Sequence, residues 1–128
     1  LTRCNFEGTT AMGTYPGGAL NDKGYPSIAD GSYELNSWNH NNKYDNVVLN
    51  KNEEVPTSGE NYQYPDRGNP GYATGVEFHR GGSDWTWSTG CITIYAPNND
   101  LSRWNRFMSH FPAQPRGTRV GSFNLMTF

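Results

Sequence analysis

Two residues of this chain have the types and spacing for nucleophilic chemistry. His79 stands twelve positions before Cys91 in Glu77-Phe-His-Arg-Gly-Gly-Ser-Asp-Trp-Thr-Trp-Ser-Thr-Gly-Cys-Ile-Thr-Ile94. A thiolate, not a thiol, attacks carbonyls, so a nucleophilic cysteine needs a partner that takes its proton. Histidine does this near neutral pH. Gly90 allows a tight turn just before the sulfur. The backbone N–H groups of Gly90, Cys91 and Thr89, with Ser88 beside them, could then face the oxygen of a tetrahedral intermediate. Asp84, or a backbone carbonyl near Arg80–Gly82, could orient the imidazole. The plainer alternative is a buried cysteine beside a strand histidine, with no reactivity.

The elements that would hold this pair are short strands. At 128 residues the chain fits one domain, residues 1–128. Apolar residues are 34% and charged residues 17%, with Gly 15, Pro 8 and aromatics 14%, a balance that favours many strands and turns over long helices. Leu1–Phe6 reads as a first strand, and 9–26 as turns with one short hairpin. Asp30-Gly31 turns into a strand with Tyr33 and Leu35 on one face. A polar tip at Asn39–Lys43 leads to a return strand at Asn46–Leu49. The stretch 53–74 reads as a long loop carrying Tyr62, Tyr64 and Tyr72, of the kind that lines a site. Residues 75–79 and 91–95 read as antiparallel neighbours. Pro97–Asp100 caps a helix with Leu101, Trp104, Phe107, Met108 and Phe111 on one stripe. Pro112 and Pro115 stop it, and 117–126 closes the fold as a strand. The expectation is a mostly β domain with one C-terminal α-helix.

The formal net charge is −2, and no Lys/Arg run occurs, so the basic patch that a nucleic-acid backbone requires is missing. No apolar stretch reaches the length of a membrane span. The chain opens at Leu1 with no signal peptide, as a processed product or an excised domain would. A Cys4–Cys91 disulfide would suit a secreted domain but would consume the nucleophile.

The segment His-x-Gly-Gly followed by Ser-x-Gly-Cys-Ile-x-Ile resembles the active-site signature of the L,D-transpeptidase (YkuD-like) family and its shorter, effector-type relatives. The matching residues are His79, Gly81, Ser88, Gly90, Cys91 and Ile92. Ile28, Gly31 and Tyr33 upstream, and Gly117, Thr118 and Val120 downstream, are similar to further family positions. The slot before Gly-Cys, where the family usually has a second histidine, is Thr89. The position two after the cysteine, often Arg, is Thr93, and Arg80 would replace it as the anchor for a substrate carboxylate. The resemblance implies a YkuD-like β-sandwich with one C-terminal helix. It implies a Cys91 thioester on a peptidoglycan stem peptide, with His79 as general base, resolved by an amine or by water. It implies no cofactor, and a location outside the cytoplasm in the periplasm, the cell wall or the medium. An effector of this kind would have an immunity or inhibitor protein as a partner.

Other constellations compete. Trp85 and Trp87 would wall a substrate groove or simply cover the core. Tyr62, Tyr64 and Tyr72 suit sugar stacking, as in a carbohydrate-binding β module without catalysis. A zinc site from His40, His79, His110 and Cys91 lacks ligand spacing. His40 and His110 read as bland surface residues. Glu53, Glu54, Glu60 and Glu77 could supply a glycosidase pair, but the sequence sets no separation between them.

Overall fold

The computed structural model describes residues 8–9, 27–58, 72–83 and 91–126. The expected strand at 1–6, most of the turn region 9–26, Cys4, Glu60, Tyr62, Tyr64 and Asp84 lie outside the described residues.

The strand with alternating Tyr33 and Leu35 runs as β3 (Gly31–His40), and β4 (Tyr44–Leu49) returns beside it in register from Leu35↔Leu49 to His40↔Tyr44. Asn41 and Asn42 both hold positive φ, 51° and 59°, and Lys43 N donates to His40 O at 2.8 Å. That is a type I′ turn, whose twist matches the strands it joins and whose conformation asparagine tolerates. The turn fixes where His40 lies. In β4, Val47, Val48 and Leu49 are all fully buried, so this strand is covered on both faces.

Beyond β4 come β7 (Glu77–Arg80) and β8 (Ile92–Ile94), and β1 (Gly8–Thr9) forms the far edge. On the other side β9 (Arg119–Leu125) pairs with β3. The sheet order is β1-β8-β7-β4-β3-β9. The pairing of β7 with β8 is parallel, Phe78↔Ile92 and His79↔Thr93, which corrects the antiparallel expectation. The physical reason is burial: Ile92, Thr93 and Ile94 are all buried, as parallel strands require on both faces. A parallel neighbour also needs a crossover of about a dozen residues, and the stretch between Arg80 and Ile92 is about that long.

The segment expected to be one long loop contains two strands. β5 (Val55–Ser58) and β6 (Tyr72–Ala73) join β2 (Ser27–Ile28) in a second sheet of order β2-β5-β6. The strand expected from residue 75 begins at Glu77, because Gly75 takes φ +69°. Ile28 and Val55 from the small sheet meet Leu35, Val47, Leu49, Phe78, Ile92 and Ile94 in one apolar cluster.

The helix α1 (Ser102–Met108) is shorter than its apolar stripe. Asp100 Oδ1 accepts from Ser102 N at 2.8 Å at its start. Trp104 and Phe107 are buried, and the Phe107 ring stacks on Phe78 at 5.1 Å between centroids. Phe111 lies past the helix end but still meets Phe107 edge-on at 5.1 Å. The fold is mostly β with a curled sheet and one helix. No helix among the described residues is long and apolar enough to cross a membrane.

Candidate active site

Strand alternation decides which side chains share a face. On β7, Phe78 and Arg80 point toward α1: Phe78 stacks on Phe107, and Arg80 lies with Trp104 around one cavity. Glu77 and His79 therefore occupy the opposite face. Continuing the β7–β8 register back one residue from Phe78↔Ile92 sets Cys91 beside Glu77, on the face that also carries His79. Cys91 and His79 are thus diagonal neighbours, roughly 8 Å apart between Cα atoms from strand and residue spacing.

His79 is 7% exposed, and its Nδ1 lies 2.8 Å from the Arg80 carbonyl oxygen. A carbonyl only accepts, so Nδ1 carries the proton and donates it. Nε2 then holds the lone pair and can act as a base. Among the sequence alternatives for orienting the ring, a backbone carbonyl at Arg80 is the one observed. Burial pushes the His79 pKa below its ordinary value, and nearby His40 lowers it further, while the Arg80 carbonyl and the Glu77 charge act the other way. Neutral imidazole is favoured.

The Cys91 sulfur is 3.6 Å from the carbonyl oxygen of Gly75. Burial raises the thiol above its ordinary pKa, the Glu77 backbone N–H lowers it, and the Glu77 charge raises it again. Burial dominates, so the resting pair is a neutral thiol with a neutral imidazole. Gly75 is in the left-handed region at φ +69°, a conformation that glycine adopts without strain.

Two residues at the site escaped the sequence reading. His40, taken as a bland tip residue, stacks on His79 with centroids 5.2 Å apart. Glu77, considered only for glycosidase work, places Oε2 3.4 Å from His40 Nδ1. That contact lacks hydrogen-bond alignment and becomes an ion pair only when His40 is protonated. Asn46 anchors the carboxylate from below, with Nδ2 donating to Glu77 Oε1 at 3.0 Å and to the buried Phe78 carbonyl at 2.8 Å. The hairpin signal at Asn41-Asn42 located His40 at a tip, but only the β4–β7 pairing brings that tip over His79.

The remaining candidates scatter. Ser88, Thr89, Gly90, Trp85 and Trp87 lie outside the described residues. Gly81 is buried and extends the β7–β8 ladder, its N–H donating to Ile94 O at 3.1 Å. Thr93, where the resembled family often has Arg, is fully buried beside His79. Arg80 faces away from His79, toward α1. Tyr72 is 66% exposed on β6 of the small sheet. Among the described residues, no group of three His, Cys, Asp or Glu side chains is arranged to hold a metal ion. No protein-family model matches the chain, and neither a curated protein nor a solved structure matches it.

Proposed function

We propose that this chain is a cysteine-dependent enzyme acting on peptidoglycan stem peptides through a Cys91 thioester, with His79 as general base. The observation that carries the reading is the His79 tautomer. Its Nδ1–H is committed to the Arg80 carbonyl, which leaves Nε2 as a base on the face that Cys91 shares. The peptidoglycan substrate class rests on the likeness of His79-x-Gly-Gly and Ser88-x-Gly-Cys-Ile to the L,D-transpeptidase signature.

In this mechanism the substrate peptide draws the sulfur from the Gly75 carbonyl toward the imidazole. Catalytic hydrogen bonds often tighten only once substrate is bound. Cys91 Sγ attacks the carbonyl carbon as His79 Nε2 takes the thiol proton. The tetrahedral intermediate collapses, the C–N bond breaks, and His79 returns that proton to the leaving amine. The thioester is then opened by an acceptor amine, giving a new peptide bond, or by water, giving a carboxylate. The neutral resting pair suits this order, because the proton moves only when a carbonyl is there to be attacked. The reaction belongs outside the cytoplasm, where its substrate lies. A protein acting on rival walls would be matched by an inhibitory partner.

The test is mass spectrometry of defined muropeptides incubated with the wild type and with Cys91→Ala. Stem peptides altered by the wild type and untouched by the variant support the proposal, and product masses separate exchange from cleavage. Exposed Tyr72 favours a second reading, a carbohydrate-binding module. That reading gains if the protein binds glycan strands while leaving every stem peptide unchanged.

A further inference from the structure

Arg80 points into a cavity of about 270 Å³ on the α1 face of the sheet, away from Cys91 and His79. Its lining includes Tyr44, Asp45, Trp104, Met108 and Phe111. The guanidinium lies over the Tyr44 ring, 4.0 Å from its centroid, and Tyr44 Oη accepts from the Arg80 backbone N–H at 3.1 Å. Tyr44 is itself braced edge-on by Trp104 at 5.5 Å. The cation thus rests against an aromatic wall.

The Arg80 Nε–H is buried and has no hydrogen-bond partner among the described residues. A buried charged donor without an acceptor is costly, and a carboxylate is the acceptor that matches guanidinium geometry. The acidic side chain that lines the cavity does not fill the role. Asp45 stands opposite Arg80 when the Val47↔Phe78 register is continued two residues, yet its Oδ1 accepts from Asn39 Nδ2 at 3.2 Å. A bare anion entering the cavity would meet the Asp45 charge. A ligand carrying a carboxylate and an adjacent ammonium would satisfy both groups. Trp104, Met108 and Phe111 leave an apolar wall for the rest of it.

We propose that this cavity binds a zwitterionic α-amino acid with an aromatic or branched apolar side chain. The carboxylate pairs with Arg80, the ammonium with Asp45, and the side chain packs on Trp104, Met108 and Phe111. Tyr44 also packs on His40, 5.2 Å between centroids, but the test reads binding rather than turnover, so the two proposals stand or fall independently.

The experiment is calorimetric or NMR titration of the full chain with L-phenylalanine and L-leucine, beside N-acetyl-L-phenylalanine and phenethylamine. The amino acids should bind saturably, and the analogues lacking one charge should bind at least about tenfold more weakly. Arg80→Gln and, as a milder exposed change, Asp45→Asn should each weaken L-phenylalanine by a similar factor, with circular dichroism unchanged. No saturable binding of either amino acid by the wild type would overturn the proposal. So would equal binding of the N-acetylated analogue, or full affinity in Asp45→Asn.

Discussion

The His79 imidazole stacks on the His40 ring with centroids 5.2 Å apart, joining the tip of one hairpin to the candidate base two strands away. Two imidazoles at that distance resist carrying charge together, and His40 is among the influences that depress His79.

Replacing His40 by Gln therefore should raise the His79 pKa. The lowering influence of the His40 ring is lost, and the Glu77 carboxylate no longer faces it. The ascending limb of the pH–rate profile for Cys91-dependent turnover should move to higher pH in His40→Gln. NMR titration of the His79 ring protons should show the same shift. An unmoved limb would mean that the stacked ring does not tune the base.

Folding stability should carry the matching sign. The folded pKa of His79 lies below the unfolded value of about 6.5, so below that pH the unfolded chain binds the extra proton more readily. Its contribution is fully present above about pH 6.5 and is lost as pH falls through the folded pKa. Urea denaturation from pH 8 to pH 5 checks this (on the order of the usual working range for histidine linkage). The wild type should lose more stability over the acidic half than His79→Gln does.

Cys91 should be a sluggish thiol in the absence of substrate. Burial raises its pKa, so alkylation by iodoacetamide at neutral pH should run slower than for an unstructured cysteine peptide. The rate should climb only at a pH above that peptide's own rise. A rapid reaction near pH 7 would indicate a thiolate–imidazolium pair and a different resting state.

Asn46→Leu should cost about 1–3 kcal/mol of stability, because it removes the amide's hydrogen bonds to the buried Phe78 carbonyl and to Glu77 Oε1. Equilibrium denaturation measures the loss. A change within a few tenths would show that the Asn46 amide is dispensable to the β4–β7 seam.

Much of this frame was legible in the chain. The Tyr33/Leu35 alternation and the Asn-rich tip marked β3 and β4. The Leu101–Phe111 stripe marked α1, although the helix stops at Met108 and Phe111 packs from the turn beyond. The His79–Cys91 segment was found from residue types alone. Strand direction was not legible. Phe78–Arg80 and Ile92–Ile94 are too short for their apolar pattern to distinguish a parallel from an antiparallel neighbour. Nor were β5 and β6, where Pro56 and the surrounding polar residues obscure the strand pattern. His40 and Glu77 lie far apart in sequence, and only the β4–β7 register brings them to one place. The separation of Arg80 from His79 follows from strand alternation and could have been anticipated. Their adjacency in sequence suggested a shared site, whereas it puts them on opposite faces.

The central claim is that Cys91 becomes acylated. Its most direct test is intact-mass and peptide-level mass spectrometry of the protein quenched in acid during turnover of a defined stem peptide. The account predicts an acyl adduct on the Cys91 peptide, lost on mild alkali or hydroxylamine treatment and missing in Cys91→Ala. Stem-peptide turnover that proceeds at the same rate in Cys91→Ala, with no adduct on the wild-type peptide, would contradict it.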